Sequence, residues 1–205
     1  MCGRFCLYSE PTEIFAHFSV TQNAVLTPRY NIAPTQVIPV VRSIGTLDFL
    51  TWGLRPVWLK EGQNAFINAR LETLNEKPAF KHAFKTKRCL IPANGYYEWK
   101  QVGTVKQPYL FSLPQNKIFA FAGLWDGDTC ALITTTAQPD LAVIHHRMPL
   151  IIDPQFYALW LDPKTSVANL QATIQQKPYH FTASPVSTKV NNPRHDFLEC
   201  TKALQ

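Results

Sequence analysis

The chain has 205 residues, 46% of them hydrophobic and 17% charged, with a formal net charge of +6. That length and apolar fraction suit one domain with a buried core and exclude a disordered chain. A basic excess suits a polyanionic partner, while the lack of an 18-residue apolar run or a basic, apolar leader predicts a cytoplasmic protein with no membrane association.

Sixteen prolines spread along the chain keep elements short and disfavour a helical bundle. Ser9 and Pro11 open a helix whose Ile14, Phe15 and Phe18 share one face. Short apolar or alternating runs predict strands at Val37–Val41, Leu47–Trp52, Cys89–Pro92 and Tyr96–Lys100. Tyr109–Leu113 and Ile118–Leu124 flank Pro114-Gln115-Asn116-Lys117, which reads as a hairpin turn. Asp126-Gly127-Asp128 then turns into Cys130–Thr136, extending the hairpin to a three-stranded meander. Asp153-Pro154 starts a second helix through Phe156, Leu159 and Trp160, which Asp162-Pro163 stops. Thr165 begins a third, with Val167, Leu170 and Ile174 spaced for burial. Strands in runs with helices towards the ends predict a single α+β domain with a mostly antiparallel, barrel-like β core flanked by a few short helices. Residues from about 191 onward read as a C-terminal tail.

Cys2, Cys6, Cys89, Cys130 and Cys200 are odd in number and form no CxxC pair, which argues against a disulfide framework and for a reducing compartment. The histidines have no partners at metal-ligand spacing, so no metal site is expected. Cys2 differs from the other four cysteines. Removing a methionine ahead of so small a residue would leave it both a thiol and a free α-amine, with reference pKa values of about 8.5 and 7.7–8.0. Such a 1,2-aminothiol condenses with an aldehyde to an imine, and its sulfur then closes a five-membered ring on the same carbon.

Four segments are unusually polar for their apolar surroundings: Cys2-Gly3-Arg4-Phe5, Phe66 to Thr73, Asn94 to Lys100, and Ile144 to Pro149. Glu98 sits among Tyr96, Tyr97 and Trp99, where lost hydration would raise its pKa into the acid–base range; simple strand alternation would instead leave it on an exposed polar face. His145 precedes Arg147, bringing an imidazole and a guanidinium into one region.

Together these segments resemble the SRAP proteins, the SOS-response-associated peptidase family, which process abasic sites in DNA. The matching strings are MCGRF from Met1, RYNIAP at Arg29–Pro34, WGL at Trp52–Leu54, INARLET at Ile67–Thr73, GYYEWK at Gly95–Lys100, IHHRMP at Ile144–Pro149 and PVS at Pro185–Ser187. Their order, with the first at the start, is what makes the match specific.

The resemblance implies that the mature Cys2 captures the ring-opened aldehyde of an abasic site as a thiazolidine, a covalent protein–DNA link that shields the lesion. It gives Asn68 the orienting amide, Glu98 the acid–base carboxyl, and His145, rather than the adjacent His146, the imidazole near the 3′ phosphate. Arg4, Arg70 and Arg147 are expected on flanking phosphates, with Asn31 lining the same pocket and Thr135 donating its hydroxyl to a phosphate. Trp58 and Leu59 match an apolar wedge that stacks on bases beside the lesion and favours single strands; a core tryptophan is the rival reading of Trp58. The implied partner is single-stranded DNA carrying abasic sites, with replication-associated proteins near by. The protein would act as a monomer, without a cofactor, at the nucleoid in a bacterial cell.

Two other classes fit parts of the sequence. A thiol autopeptidase or N-terminal-nucleophile amidohydrolase would use Cys2 on an amide, the former removing Met1 itself. A non-catalytic reader of modified bases would bind without bonding. Cys2→Ala separates them, because only a reader would survive it.

Overall fold

The computed structural model describes residues 2–21, 24–174 and 178–204, residues 171–173 by their backbone alone. Strand β1 (Phe5–Leu7) and helix α1 (Pro11–His17) are followed by β2 (Arg29–Ile32), the hairpin β3 (Val37–Ser43) and β4 (Thr46–Trp52), and β5 (Asn68–Arg70). Helix α2 (Pro78–Thr86) leads into β6 (Arg88–Ala93), β7 (Gly95–Val102) and β8 (Val105–Ser112). Then come β9 (Phe119–Asp126), β10 (Thr129–Thr136), α3 (Pro139–Ala142), β11 (Arg147–Pro149) and β12 (Ile151–Ile152). The chain continues through α4 (Tyr157–Leu161), α5 (Val167–Ile174) and β13 (Thr182–Pro185).

The strands form two sheets. One has five strands in the order β13-β8-β7-β1-β2. In the other, β10, β4, β3, β6 and β9 pair in turn, and β9 pairs back to β10, so the ladder closes into a ring. β5 and β11 attach along β10, and β12 along β9. Ring closure satisfies strand edges that an open sheet would leave bare. The architecture is the expected α+β one, antiparallel except where β10 meets β4 and β5. Among the described residues no helix is long and apolar enough to cross a membrane.

The three helices read from sequence form at the expected places. Ile14 and Phe18 are buried under α1. The Asp153 carboxylate accepts from the backbone N–H of Gln155 at 3.1 Å, starting a 3-10 turn that runs into α4. At α5 the acceptor is the Ser166 hydroxyl, which takes the N–H of Asn169 at 3.2 Å, one residue later than the expected Thr165 start.

Two expectations need correction. The Pro114–Asn116 turn does not make a hairpin of β8 and β9. Gln115 and Asn116 adopt left-handed φ values of 60° and 53°, and the chain passes there from one sheet to the other. Both edges of β8 are already taken. It pairs with β7 from Gly95↔Ser112 to Val102↔Val105, around a turn at Gly103, and with β13 on its other side. Only the β9–β10 half of the meander exists.

The residues beyond 191 are likewise no loose tail. The Asp196 carboxylate accepts from the backbone N–H groups of Tyr30 and Asn31 at 2.5 and 2.8 Å and pairs with Arg29, and Cys200 is buried against Cys6, Tyr97 and Val190.

Phe5 ties β1 into the ring. Its ring meets Trp52 and Phe121 edge to face, with centroids 5.3 and 5.6 Å apart. That anchor lies three residues from Cys2, so the start of the chain is positioned by the core.

Candidate active site

Cys2 is buried, and its path is fixed by backbone contacts on both sides. The N–H of Tyr97 donates to the Arg4 carbonyl at 2.9 Å, holding the segment against β7. Asn68, the first residue of β5, donates its amide N–H to the Cys2 carbonyl at 2.8 Å. The Asn68 side-chain oxygen is also buried but has no hydrogen-bond partner among the described residues. A buried acceptor without a partner costs about 1–3 kcal/mol, so the position favours an incoming N–H or O–H donor.

Glu98 faces the same region from β7, with a side chain only 4% exposed. Alternation had left open an exposed glutamate, but β7 is covered on both faces: Tyr96 packs into the main core and Tyr97 into the second cluster. Burial pushes the Glu98 carboxyl up to about 7. The His145 Nδ1 lies 3.7 Å from Glu98 Oε1. Burial pulls the His145 pKa below its ordinary value, favouring neutral imidazole. When neutral, Nδ1 accepts from the N–H of Arg147 at 3.1 Å, which leaves the ring proton on Nε2; when protonated, Nδ1 donates to the Arg147 carbonyl at 3.0 Å. His146 is exposed and stacks on His145 from outside, so His145 is the imidazole at the site.

The Cys2 thiol is held well above its ordinary pKa, by burial first and by the Glu98 charge second. Both causes favour the neutral thiol over the thiolate.

A cavity of about 460 Å³ opens at this place, lined by Glu98, Trp99, Lys106, His145 and Asn191. Three of these wall residues, Trp99, Lys106 and Asn191, were not among the expected site residues. Trp99 belongs to GYYEWK and was passed over as context for Glu98; it donates its indole N–H to the Asn191 side chain at 2.7 Å. Lys106 arrives only through the β7–β8 pairing and Asn191 only through the docked C-terminal segment, neither of which has a local signal. A second cavity of about 500 Å³, lined in part by Glu10, Glu13, His17 and Asn94, has neither Cys2 nor Glu98 in its wall.

The cations and their neighbours divide into three groups. Arg70 is exposed on β5, two residues from Asn68. Arg4 is half-buried, and its Nη1 donates to the Asn31 side-chain oxygen at 2.8 Å and to the Val190 carbonyl at 2.5 Å. Arg147 is engaged by Glu72, Nη1 and Nη2 donating to the two carboxylate oxygens at 2.7 and 3.0 Å.

Two expected contact residues are placed otherwise. Asn31 is fully buried, its amide N–H groups directed at the carbonyls of Val190, Asn192 and His195 within 2.7–3.2 Å; it clamps the C-terminal segment and is not in the wall of the Glu98–His145 cavity. Thr135 faces a small separate cavity with Met148, Ile174 and Tyr179. Strand alternation puts Thr134 on the site side instead, its carbonyl and hydroxyl 2.7 and 3.3 Å from Arg147 Nη2.

Trp58 is no core tryptophan. It is 57% exposed beside Val57, which is 95% exposed, on the loop between β4 and β5, with Leu59 half-buried behind. Exposed apolar groups at such a loop tip point to a contact surface.

The family model described as SOS response associated peptidase (SRAP) matches residues 1–193. Among curated proteins, the abasic site processing protein YoqW of Bacillus subtilis (strain 168) is 39% identical, covering 97% of this chain and 98% of its own. The abasic site processing protein HMCES of Gallus gallus is 32% identical over 87% of this chain and 67% of its own. Among solved structures, a protein from Bacteroides thetaiotaomicron superposes with a TM-score of 0.86 at 23% identity over the whole of both chains, which shows the shared fold. A phage-related protein from Bordetella bronchiseptica does so with a TM-score of 0.75 at 30% identity, over 90% of this chain and 94% of its own. With Cys2, Asn68, Glu98 and His145, each from a different motif, drawn together and the family model matching residues 1–193, the chain belongs to the SOS response associated peptidase (SRAP) family.

Proposed function

We propose that this protein processes abasic sites in single-stranded DNA by bonding to them covalently through Cys2. The observation that carries this reading is the placement of the Cys2 main chain, pinned by Asn68, beside the Glu98–His145 pair. The names of the relatives, abasic site processing proteins, support it.

The chemistry follows from the protonation states. Loss of Met1, which lies outside the described residues, leaves Cys2 with an α-amine. That amine attacks the aldehyde carbon of the ring-opened sugar, because the thiol is held neutral and is the poorer nucleophile. Glu98, near half-protonation at neutral pH, donates a proton to the leaving oxygen, and water departs as the imine forms. The sulfur then adds to the same carbon while its proton passes to the nitrogen, closing a thiazolidine ring. The Asn68 oxygen is free to accept from the amine or a sugar hydroxyl, and His145 presents an Nε2–H to a sugar or phosphate oxygen. Arg70, with Arg4 and Arg147, supplies phosphate contacts, and Trp58 with Leu59 stacks on a neighbouring base, a platform worth about 1–3 kcal/mol per base.

Denaturing gels of protein mixed with single-stranded DNA carrying one abasic site test this reading. Wild type should give a heat-stable slow band, and Cys2→Ala none, while both bind the strand alike. An unchanged band in Cys2→Ala would assign the bonding to another residue.

A further inference from the structure

The Arg147 guanidinium is nearly enclosed, with its side chain 11% exposed, and the face left outward is capped by a carboxylate. Both Nη groups donate to Glu72, and Nη2 also donates to the Thr134 carbonyl. Glu72 follows β5 by two residues and is 46% exposed, so it reaches in from solvent over a cation that belongs to the site. Its contact is the two-oxygen, two-nitrogen fork that a phosphate group would also make. The backbone N–H of the same Arg147 sets the His145 tautomer, so whatever occupies this arginine sits two residues from His145.

We propose that Glu72 is a built-in stand-in for a DNA phosphate, holding the Arg147 fork in the free protein and yielding it when the strand binds. This rests on the reading of the site as one for abasic single-stranded DNA. The energetics favour an exchangeable partner. A half-exposed ion pair contributes only about 0–1 kcal/mol, and a released Glu72 carboxylate rehydrates with little penalty. The pair still keeps a nearly buried cation matched when no DNA is present, which would otherwise be costly. Strand binding at Arg147 is then a swap of one anion for another. It weakens affinity and removes one phosphate's share of the salt dependence, and so discriminates against weak, non-specific polyanions.

The test is anisotropy titration with a labelled single strand bearing a tetrahydrofuran abasic analogue, which has no aldehyde and reports binding alone. Glu72→Gln keeps the shape and removes the competing charge. It should tighten binding about two- to fivefold, the fold-change that up to ~1 kcal/mol of ion pairing corresponds to. The slope of log affinity against log salt should steepen by about 0.7, one phosphate on a single strand. Unchanged or weaker binding by a folded Glu72→Gln would overturn the proposal and make Glu72 a residue that positions Arg147. In wild type the hydrogen bond from Arg147 holds the Glu72 carboxyl below the ordinary range, and an NMR titration should show it there. Saturating DNA should return it to that range, and a value left low with DNA bound would also overturn the exchange. Failure of the covalent reading is seen separately, as the absence of a heat-stable adduct from wild type with reactive abasic DNA.

Discussion

Glu98 carries two consequences of one burial. Its carboxyl is pushed up to about 7, against an ordinary value of 4.5, because the charged form is desolvated. Adduct formation should therefore bend near pH 7 in wild type and lose that bend in Glu98→Gln, measured as initial crosslinking rate against pH; a bend that persists would assign it elsewhere. Stability follows the same group. The folded state holds the proton more tightly than the unfolded chain, so folding loses stability as pH rises from about 4.5 to about 7 and then levels off. The loss is on the order of 3 kcal/mol if the whole shift is realised. Glu98→Gln should flatten that slope in denaturant titrations at pH 5 and pH 8, and an equal slope in both proteins would contradict the buried-carboxyl account.

At the level of elements, the C-terminal segment determines how the start of the chain is held. Val190 accepts from Arg4, Asn31 clamps three carbonyls of the segment, and Asp196 accepts from two backbone N–H groups of β2 and pairs with Arg29. Asp196→Ala leaves those donors unpaired and should destabilise the fold by about 2–4 kcal/mol, read from urea unfolding; a loss under about 0.5 kcal/mol would show that water replaces the carboxylate freely. None of this was legible locally, because Asp196 lies more than 160 residues from its partners in sequence. Helices α1, α4 and α5 were legible because proline and capping residues mark their starts and 3.6-residue spacing marks their buried faces. Helix α2 had the same marks, Pro78 and then Phe80, Ala83 and Phe84, and was missed between two motif segments. The β8–β9 hairpin failed because turn residues show where a chain bends, but not which sheet it rejoins.

Across the whole molecule, the candidate site sits where the two sheets meet. β1 and β7 of the five-stranded sheet bring Cys2 and Glu98, and β5 and the segment entering β11 on the ring side bring Asn68, His145 and Arg147. Each of these residues was readable from its motif, and each motif carried the residue types that the chemistry needs. Their meeting was not readable from any one segment, since it depends on Phe5 packing between Trp52 and Phe121 and on the pairing of β5 with β10. The same architecture explains the two misassigned residues. Asn31 is polar because it closes the C-terminal clamp, and Thr135 is one residue out of phase with the site face of β10. A site assembled from both sheets exists only when both are folded.

Intact mass spectrometry of the protein mixed with single-stranded DNA carrying one abasic site tests the central claim most directly. The account expects one new species, the mass of the chain without Met1 plus that of the DNA less one water, and none from protein that keeps Met1. Protein with a verified free Cys2 amine that gives no such species would contradict it.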